Sequence, residues 1–205
     1  MTERVSQTAN RIALASTSPR RRELLEGLGL DVTLVTGDID ETRAAGEPVR
    51  DYVRRLAAGK AAQGRLDRRA DQLTLVAGDT VVALGDTVFG KPADADDAIR
   101  MLCALSDREH SVHSAVAVDD GSVCRVQLVS STVTFMPISR AMAQAYWETG
   151  EPADKAGAYG IQGKGGRFVA HLAGSFSAVM GLPVFETANM LAAAGLTLFD
   201  TPGRE

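Results

Sequence analysis

Apolar runs and helix-period stripes alternate along the chain, and the alternation predicts strands and helices in turn. Ile12-Ala13-Leu14-Ala15 is wholly apolar and reads as a buried strand. Ser18 and Pro19 follow as an N-cap and a first helical residue, so a helix is expected to begin at about Ser18. Residues 32–35 read as a second strand that runs into the acidic turn Gly37-Asp38-Ile39-Asp40-Glu41. From 49 to 64, Val53, Leu56 and Ala57 have helical spacing, with Lys60 near the end. Leu73-Thr74-Leu75-Val76-Ala77 is a strand pattern apolar on both faces, expected to stop at Gly78-Asp79-Thr80. Residues 81–84 and 87–89, with Gly85-Asp86 between them, predict a hairpin.

Asp94 is placed to cap a helix over 95–105, whose Ala98, Met101, Leu102 and Leu105 form a core stripe. Three antiparallel strands are expected over 112–118, 123–129 and 132–136, then a Ser139-capped helix through Tyr146 and Trp147. A glycine-rich span over 157–166 precedes a strand at 168–170, and a last helix begins near Pro183 and stops before Gly195. Strands that pair antiparallel, mixed with helices, argue for an α/β (mixed α+β) architecture with one long sheet flanked by helices.

Arg20, Arg21 and Arg22 stand in the first turn of the first helix, where the dipole and unpaired N–H groups favour an anion. Either a phosphate ligand meets them there, or they fan into water and pair with Glu23 and Glu26. Asp79 sits where an apolar strand is expected to end; it is a candidate for chemistry, although a lone Asp in such a place is more often a turn former or cap. Lys91, between Gly90 and Pro92, and Lys60 are either ligand contacts or solvated lysines. The glycines of 157–166 permit close backbone approach to a ligand but also serve turns. No segment has the Walker phosphate-loop spacing, which disfavours a P-loop kinase.

At 205 residues, 45% hydrophobic and 23% charged, the chain can bury a sizeable core, and one domain is the default. A net charge of -4 excludes the broad basic surface that holds duplex nucleic acid, so anion binding must be local. Cys103 and Cys124 lack metal spacing and read as reduced core thiols. Of the three histidines, His110 and His113 are assigned to a strand edge, and with His171 they make no zinc-like cluster. The polar N-terminus and the lack of a membrane-length apolar stretch predict a soluble, unexported, cytoplasmic protein without a membrane partner.

Five ordered segments, 14–25 (LASTSPRRRELL), 77–82 (AGDTVV), 90–92 (GKP), 154–163 (DKAGAYGIQG) and 174–183 (GSFSAVMGLP), closely resemble the Maf family of nucleoside triphosphate pyrophosphatases. The resemblance implies a single bilobed domain over 11–198, with 1–10 and 199–205 as flexible termini. It implies a long curved mixed sheet and a central cleft, similar to the inosine triphosphate pyrophosphatases. The reaction it implies is hydrolysis of a nucleoside triphosphate to the monophosphate and pyrophosphate with a divalent cation, Mg²⁺ or Mn²⁺.

By the same resemblance Asp79 is the proton acceptor, and Glu41 with Asp79 holds the metal. Ser16, Arg20, Arg21, Lys60, Thr80, Lys91 and Gln162 contact the substrate. The family branch acting on dTTP and UTP carries Arg, Thr and Gln at positions matching Arg20, Thr80 and Gln162. A methylated-GTP branch has Gln after the aspartate and Glu in the glycine-rich span, so this chain follows the pyrimidine pattern. The basic tip Gly163-Lys164-Gly165-Gly166-Arg167 extends the expectation to modified pyrimidine nucleotides. The other reading, from the family's name, is a division-inhibiting regulator acting through a partner. A homodimer is left open, since no residue compels it.

Overall fold

The computed structural model describes residues 10–198. The flexible termini expected over 1–10 and 199–205 therefore lie outside it, except for Asn10, whose carbonyl accepts a bond from the Asp31 N–H at 2.9 Å. A seven-stranded mixed sheet is flanked by helices, as the patterning predicts. Strand β1 (Arg11–Ala15) pairs in parallel with β2 (Asp31–Leu34) on one side and β3 (Thr74–Leu84) on the other. β3 continues the sheet antiparallel to β5 (Glu109–Asp119), then β6 (Cys124–Phe135) and β7 (Val169–Ala173), while β4 (Thr87–Phe89) forms the expected hairpin on β3.

β1 and β3 are apolar on both faces because both faces are covered. Ala13, Ala15, Leu75 and Ala77 face α2 (Val49–Gly64), which contributes Val53, Ala57 and Ala61. Ile12, Leu14 and Val76 face the other way, toward α1 (Pro19–Glu26), α6 (Val184–Ala193) and the residues Leu25, Leu182 and Leu191. A third cluster packs α3 (Ala95–Leu105) and α4 (Arg140–Trp147) against Val82, Phe135, Tyr159 and Phe168. The caps at Asp94 and Ser139 form, with their oxygens accepting from Asp97 N–H at 2.9 Å and Met142 N–H at 3.2 Å.

Several expectations are corrected. β3 does not stop at Gly78-Asp79-Thr80: nine consecutive pairs with β5 carry it from Leu75 to Ala83. Cooperative cross-strand bonding outweighs the local turn preference of that tripeptide. The strands expected at 123–129 and 132–136 are one strand, β6, and a short helix, α5 (Phe176–Met180), went unpredicted. Cys103 and Cys124 are exposed rather than core thiols, because each falls on the outward side of its element. Ser18 precedes the helix but makes no side-chain cap bond. No described helix is long and apolar enough to cross a membrane.

His110 and His113 lie on β5, an interior strand, and only His171 is on an outer one, β7. His110 is 3% exposed, stacks edge-on against Phe135 at 4.8 Å and bonds the Tyr159 hydroxyl through Nε2 at 2.9 Å. Burial pushes its pKa down to about 4. A base with a lowered folded pKa stabilises the protein fully above its unfolded value of 6.5 and loses that contribution as pH falls toward 4. Urea unfolding should accordingly show that the wild-type protein loses about 2 kcal/mol between pH 7 and 5 from this group alone. His110→Gln should flatten that limb; an unchanged pH slope in the variant would refute the assignment.

Candidate active site

The site begins where β1 ends. Its last pair with β3 is Ala15 with Ala77, and β4 joins β3 only from Val82 onward, so Gly78 to Val81 have a sheet neighbour on the β5 side alone. A cleft of about 550 Å³ opens there, a size suited to a small-molecule ligand. All nine residues singled out from the sequence, Ser16, Arg20, Arg21, Glu41, Lys60, Asp79, Thr80, Lys91 and Gln162, line it.

Asp79 is buried at 7% exposure in mid-strand, and a buried carboxylate requires a partner. Lys60 supplies it from α2, with Nζ 2.7 Å from Asp79 Oδ1 and 2.6 Å from Glu41 Oε1. The ammonium thus bridges two carboxylates. Glu41 is positioned by Tyr52, whose hydroxyl donates to the Glu41 carbonyl at 2.8 Å.

Arg21 runs from α1 into the cleft. Its Nε donates to the Gly181 carbonyl at 2.8 Å, Nη1 to Ser16 Oγ at 3.0 Å and Nη2 to Thr80 Oγ1 at 3.4 Å. Gly78 makes room for it: a Cβ there would lie 3.4 Å from Arg21 Nε and 3.0 Å from the Ala115 carbonyl oxygen. Burial lowers the Arg21 pKa, and Asp79 pulls in the opposite direction. The Thr80 hydroxyl is already engaged, 2.8 Å from Ser114 Oγ and 3.2 Å from the Gly181 carbonyl. Its geometry serves to position Arg21.

Arg20 crosses the cleft to Asp154, with Nη1 2.8 Å from Oδ2. Burial works against the Asp154 charge, but Lys155 and Arg20 prevail and hold its pKa at about 2. Of the three arginines only Arg22 follows the solvated alternative, pairing with Glu26 at 2.7 Å on the outside of α1. Lys91 is exposed at the rim, with no side-chain partner among the described residues, and its turn is tied down by the Gly157 N–H donating to the Gly90 carbonyl at 3.0 Å. Gln162 is exposed on the glycine-rich loop.

Sequence reasoning missed Tyr52, Asp154, Lys155 and Asp38 as cleft residues. Asp154 and Lys155 open the DKAGAYGIQG segment and Asp38 lies in the acidic turn, so both motifs held a signal that was read only in part. Tyr52 falls on a helix pattern that marks no chemistry. Among the described residues no three His, Cys, Asp or Glu side chains are grouped to hold a metal unaided.

The family model described as Maf-like protein matches residues 11–194. The chain is 47% identical over 188 residues to the dTTP/UTP pyrophosphatase of Pseudoalteromonas atlantica, covering 90% of this chain and 97% of that one. It is 49% identical over 197 residues to the dTTP/UTP pyrophosphatase of Chromobacterium violaceum, covering 95% and 100%. Among solved structures, the Staphylococcus aureus Ham1 protein aligns at 14% identity and a TM-score of 0.42, over 63% of this chain and 72% of that one.

The Lys60–Asp79 pair is the buried half of the bridge, with side chains 13% and 10% exposed, whereas Glu41 is 57% exposed. Lys60→Ala should therefore lower the unfolding free energy by about 3 kcal/mol, because it strands a buried carboxylate. Glu41→Gln should cost under about 1 kcal/mol. In urea unfolding, the double variant Lys60→Ala/Asp79→Ala should recover part of the first loss, and strictly additive losses would contradict the pairing.

Proposed function

Because this chain belongs to the Maf family, we propose that it is a nucleoside triphosphate pyrophosphatase that converts dTTP and UTP, with modified pyrimidine nucleotides, to the monophosphate and pyrophosphate. The observation that carries the reading is the convergence of four cations and a buried carboxylate on one cleft. We infer that residues 11–198 act as one catalytic domain, and a cytoplasmic location suits the substrate.

A triphosphate tail needs several positive charges. Arg20, Arg21, Lys60 and Lys91 supply them, aided by the Ser16 hydroxyl and by the start of α1, where no side-chain cap competes for the first N–H groups. Lys60 holds Asp79 through Oδ1, so the other carboxylate oxygen accepts the proton of a water attacking the α-phosphorus. The bond from that phosphorus to its bridging oxygen breaks, and pyrophosphate leaves.

The residues present fit a divalent cation, Mg²⁺ or Mn²⁺. Asp79 and Glu41 are hard oxygen donors that already share one cation, the Lys60 ammonium, and Mg²⁺ takes one or two carboxylates together with substrate phosphates. Such an ion, when bound, supplies charge neutralisation on the phosphates and easier deprotonation of water. On the glycine-rich loop that lines the cleft, Gln162 presents a donor and an acceptor, which match the N3–H and carbonyl edge of uracil or thymine. A carboxylate would suit the adjacent donors of guanine.

The test is a panel of normal and modified triphosphates with Mg²⁺ or Mn²⁺, with pyrophosphate and orthophosphate measured separately. Pyrophosphate from dTTP and UTP is expected, and Asp79→Asn should keep its circular dichroism spectrum while losing nearly all turnover. Orthophosphate as the direct product, or wild-type rates in the variant, would overturn the mechanism. Gln162→Glu should lower kcat/KM for dTTP and UTP by the equivalent of about 1–3 kcal/mol. Unchanged pyrimidine turnover in that variant would reject the base assignment.

A further inference from the structure

The loop that carries Gln162 is open on two sides. Tyr159 to Gln162 face the cleft, while Gly163 and Lys164 border a second cavity of about 440 Å³ shared with Tyr146 and Phe168. Tyr159 and Ile161 are anchored in the apolar core, but Gln162, Gly163 and Lys164 are exposed and have no such anchor. The loop backbone is instead bonded to one carboxylate and one phenol. Glu151 Oε2 accepts the Lys164 N–H at 2.8 Å, and Oε1 accepts the Gly165 N–H at 3.0 Å and the Tyr146 hydroxyl at 2.6 Å. The Tyr146 oxygen in turn accepts the Gly160 N–H at 3.1 Å.

These bonds grip the loop on both sides of Gln162. They also explain its glycines, since a Cβ at Gly163 would lie 2.5 Å from Glu151 Oε2 and one at Gly165 would lie 2.5 Å from the Tyr146 hydroxyl. Burial opposes the charge on Glu151, yet the Tyr146 hydroxyl and the two N–H groups hold its pKa below the usual range. Burial, then Glu151, pushes the Tyr146 pKa up. The proton therefore stays on the phenol and both oxygens of Glu151 act as acceptors.

We propose that Glu151, with Tyr146, is a specificity-positioning residue that fixes the loop presenting Gln162, so that it governs recognition of the base and not the hydrolytic step. The proposal rests on the reading of Gln162 as a base contact. Glu151→Gln preserves shape but turns one acceptor into a donor facing a backbone N–H, which leaves that group unpaired.

The test is steady-state kinetics of UTP and CTP for Glu151→Gln and Tyr146→Phe, each alone and combined with Gln162→Ala. Either single variant should raise KM for UTP about tenfold, keep kcat within about twofold, and lower the UTP-to-CTP ratio of kcat/KM about tenfold. With Gln162→Ala present, neither should lower the ratio further. If Gln162→Ala lowers the ratio and the Glu151 and Tyr146 variants leave it unchanged, or lower kcat alone, the positioning role is wrong. If Gln162→Ala itself leaves the ratio unchanged, the base reading fails and the proposal fails with it. Should Glu151→Gln not fold, Tyr146→Phe is read by the same criteria.

Discussion

β3 outruns β1, and the rest of the site depends on that mismatch. From Leu75 to Ala77 the strand is flanked by β1 and β5 and carries only apolar, fully buried side chains. Beyond it, one flank is free, and three polar or small residues, Gly78, Asp79 and Thr80, follow within an otherwise apolar run. A carboxylate at Asp79 is tolerable there because α2, held on the sheet by Val53, Ala57 and Ala61, delivers the Lys60 ammonium to it. The same free flank admits Arg21 from the opposite face, over Gly78. Two helices on opposite faces of the sheet thus meet at one strand segment.

The cations of the cleft are not equally committed. Lys60 and Asp79 are both largely buried, so separating them would leave a charge in a poorly solvated place. Arg20 is bound to Asp154, whose side chain is 53% exposed, and ion pairs of that kind are worth under about 1 kcal/mol. The Arg20 pair is therefore easily exchanged, Lys91 has no side-chain partner among the described residues, and the Lys60 contact to Asp79 resists separation. The arrangement keeps the buried carboxylate paired and oriented while the outer cations are held more loosely. Arg21 lies between these cases, fixed by a carbonyl and two hydroxyls that carry no charge.

Much of this was legible in the sequence, for physical reasons that differ by element. α2 and α3 were readable because burial on one face imposes a 3.6-residue period, and Asp94 marks where α3 starts. Eight of the nine cleft residues were readable through segments whose composition departs from core or surface patterns, whereas Lys60 stands in the ordinary helix pattern of α2 and was marked only by its charge and by the family resemblance. The continuity of β3 was not, because it is enforced by partners on β5 more than thirty residues away, whereas Gly-Asp-Thr locally favours a turn. Neither was the burial of His110 or the exposure of the two cysteines, which depends on which face of an element turns inward. Glu151 escaped notice because two of its three bonds go to backbone N–H groups, which carry no mark of residue type in the sequence.

The short turn Glu151–Asp154 ties two elements of the cleft lining to one segment. Its first residue grips the glycine-rich loop, and its last residue holds Arg20 at the start of α1. Lys155 locks the turn internally, with Nζ donating to the Glu151 carbonyl and to Asp154 Oδ1, both at 2.7 Å. Gln162 on the loop and Arg20 on α1, the residues assigned to base and phosphates in the proposed function, are therefore both anchored to the same four-residue segment. The Glu151 bonds act on the loop and the Asp154 pair acts on Arg20, so loosening the first contact leaves the second in place. Hydrogen bonds to a charged carboxylate at each end of one turn thus add to the apolar packing of Tyr159, Ile161 and Phe168 and reach the exposed residues that packing does not hold.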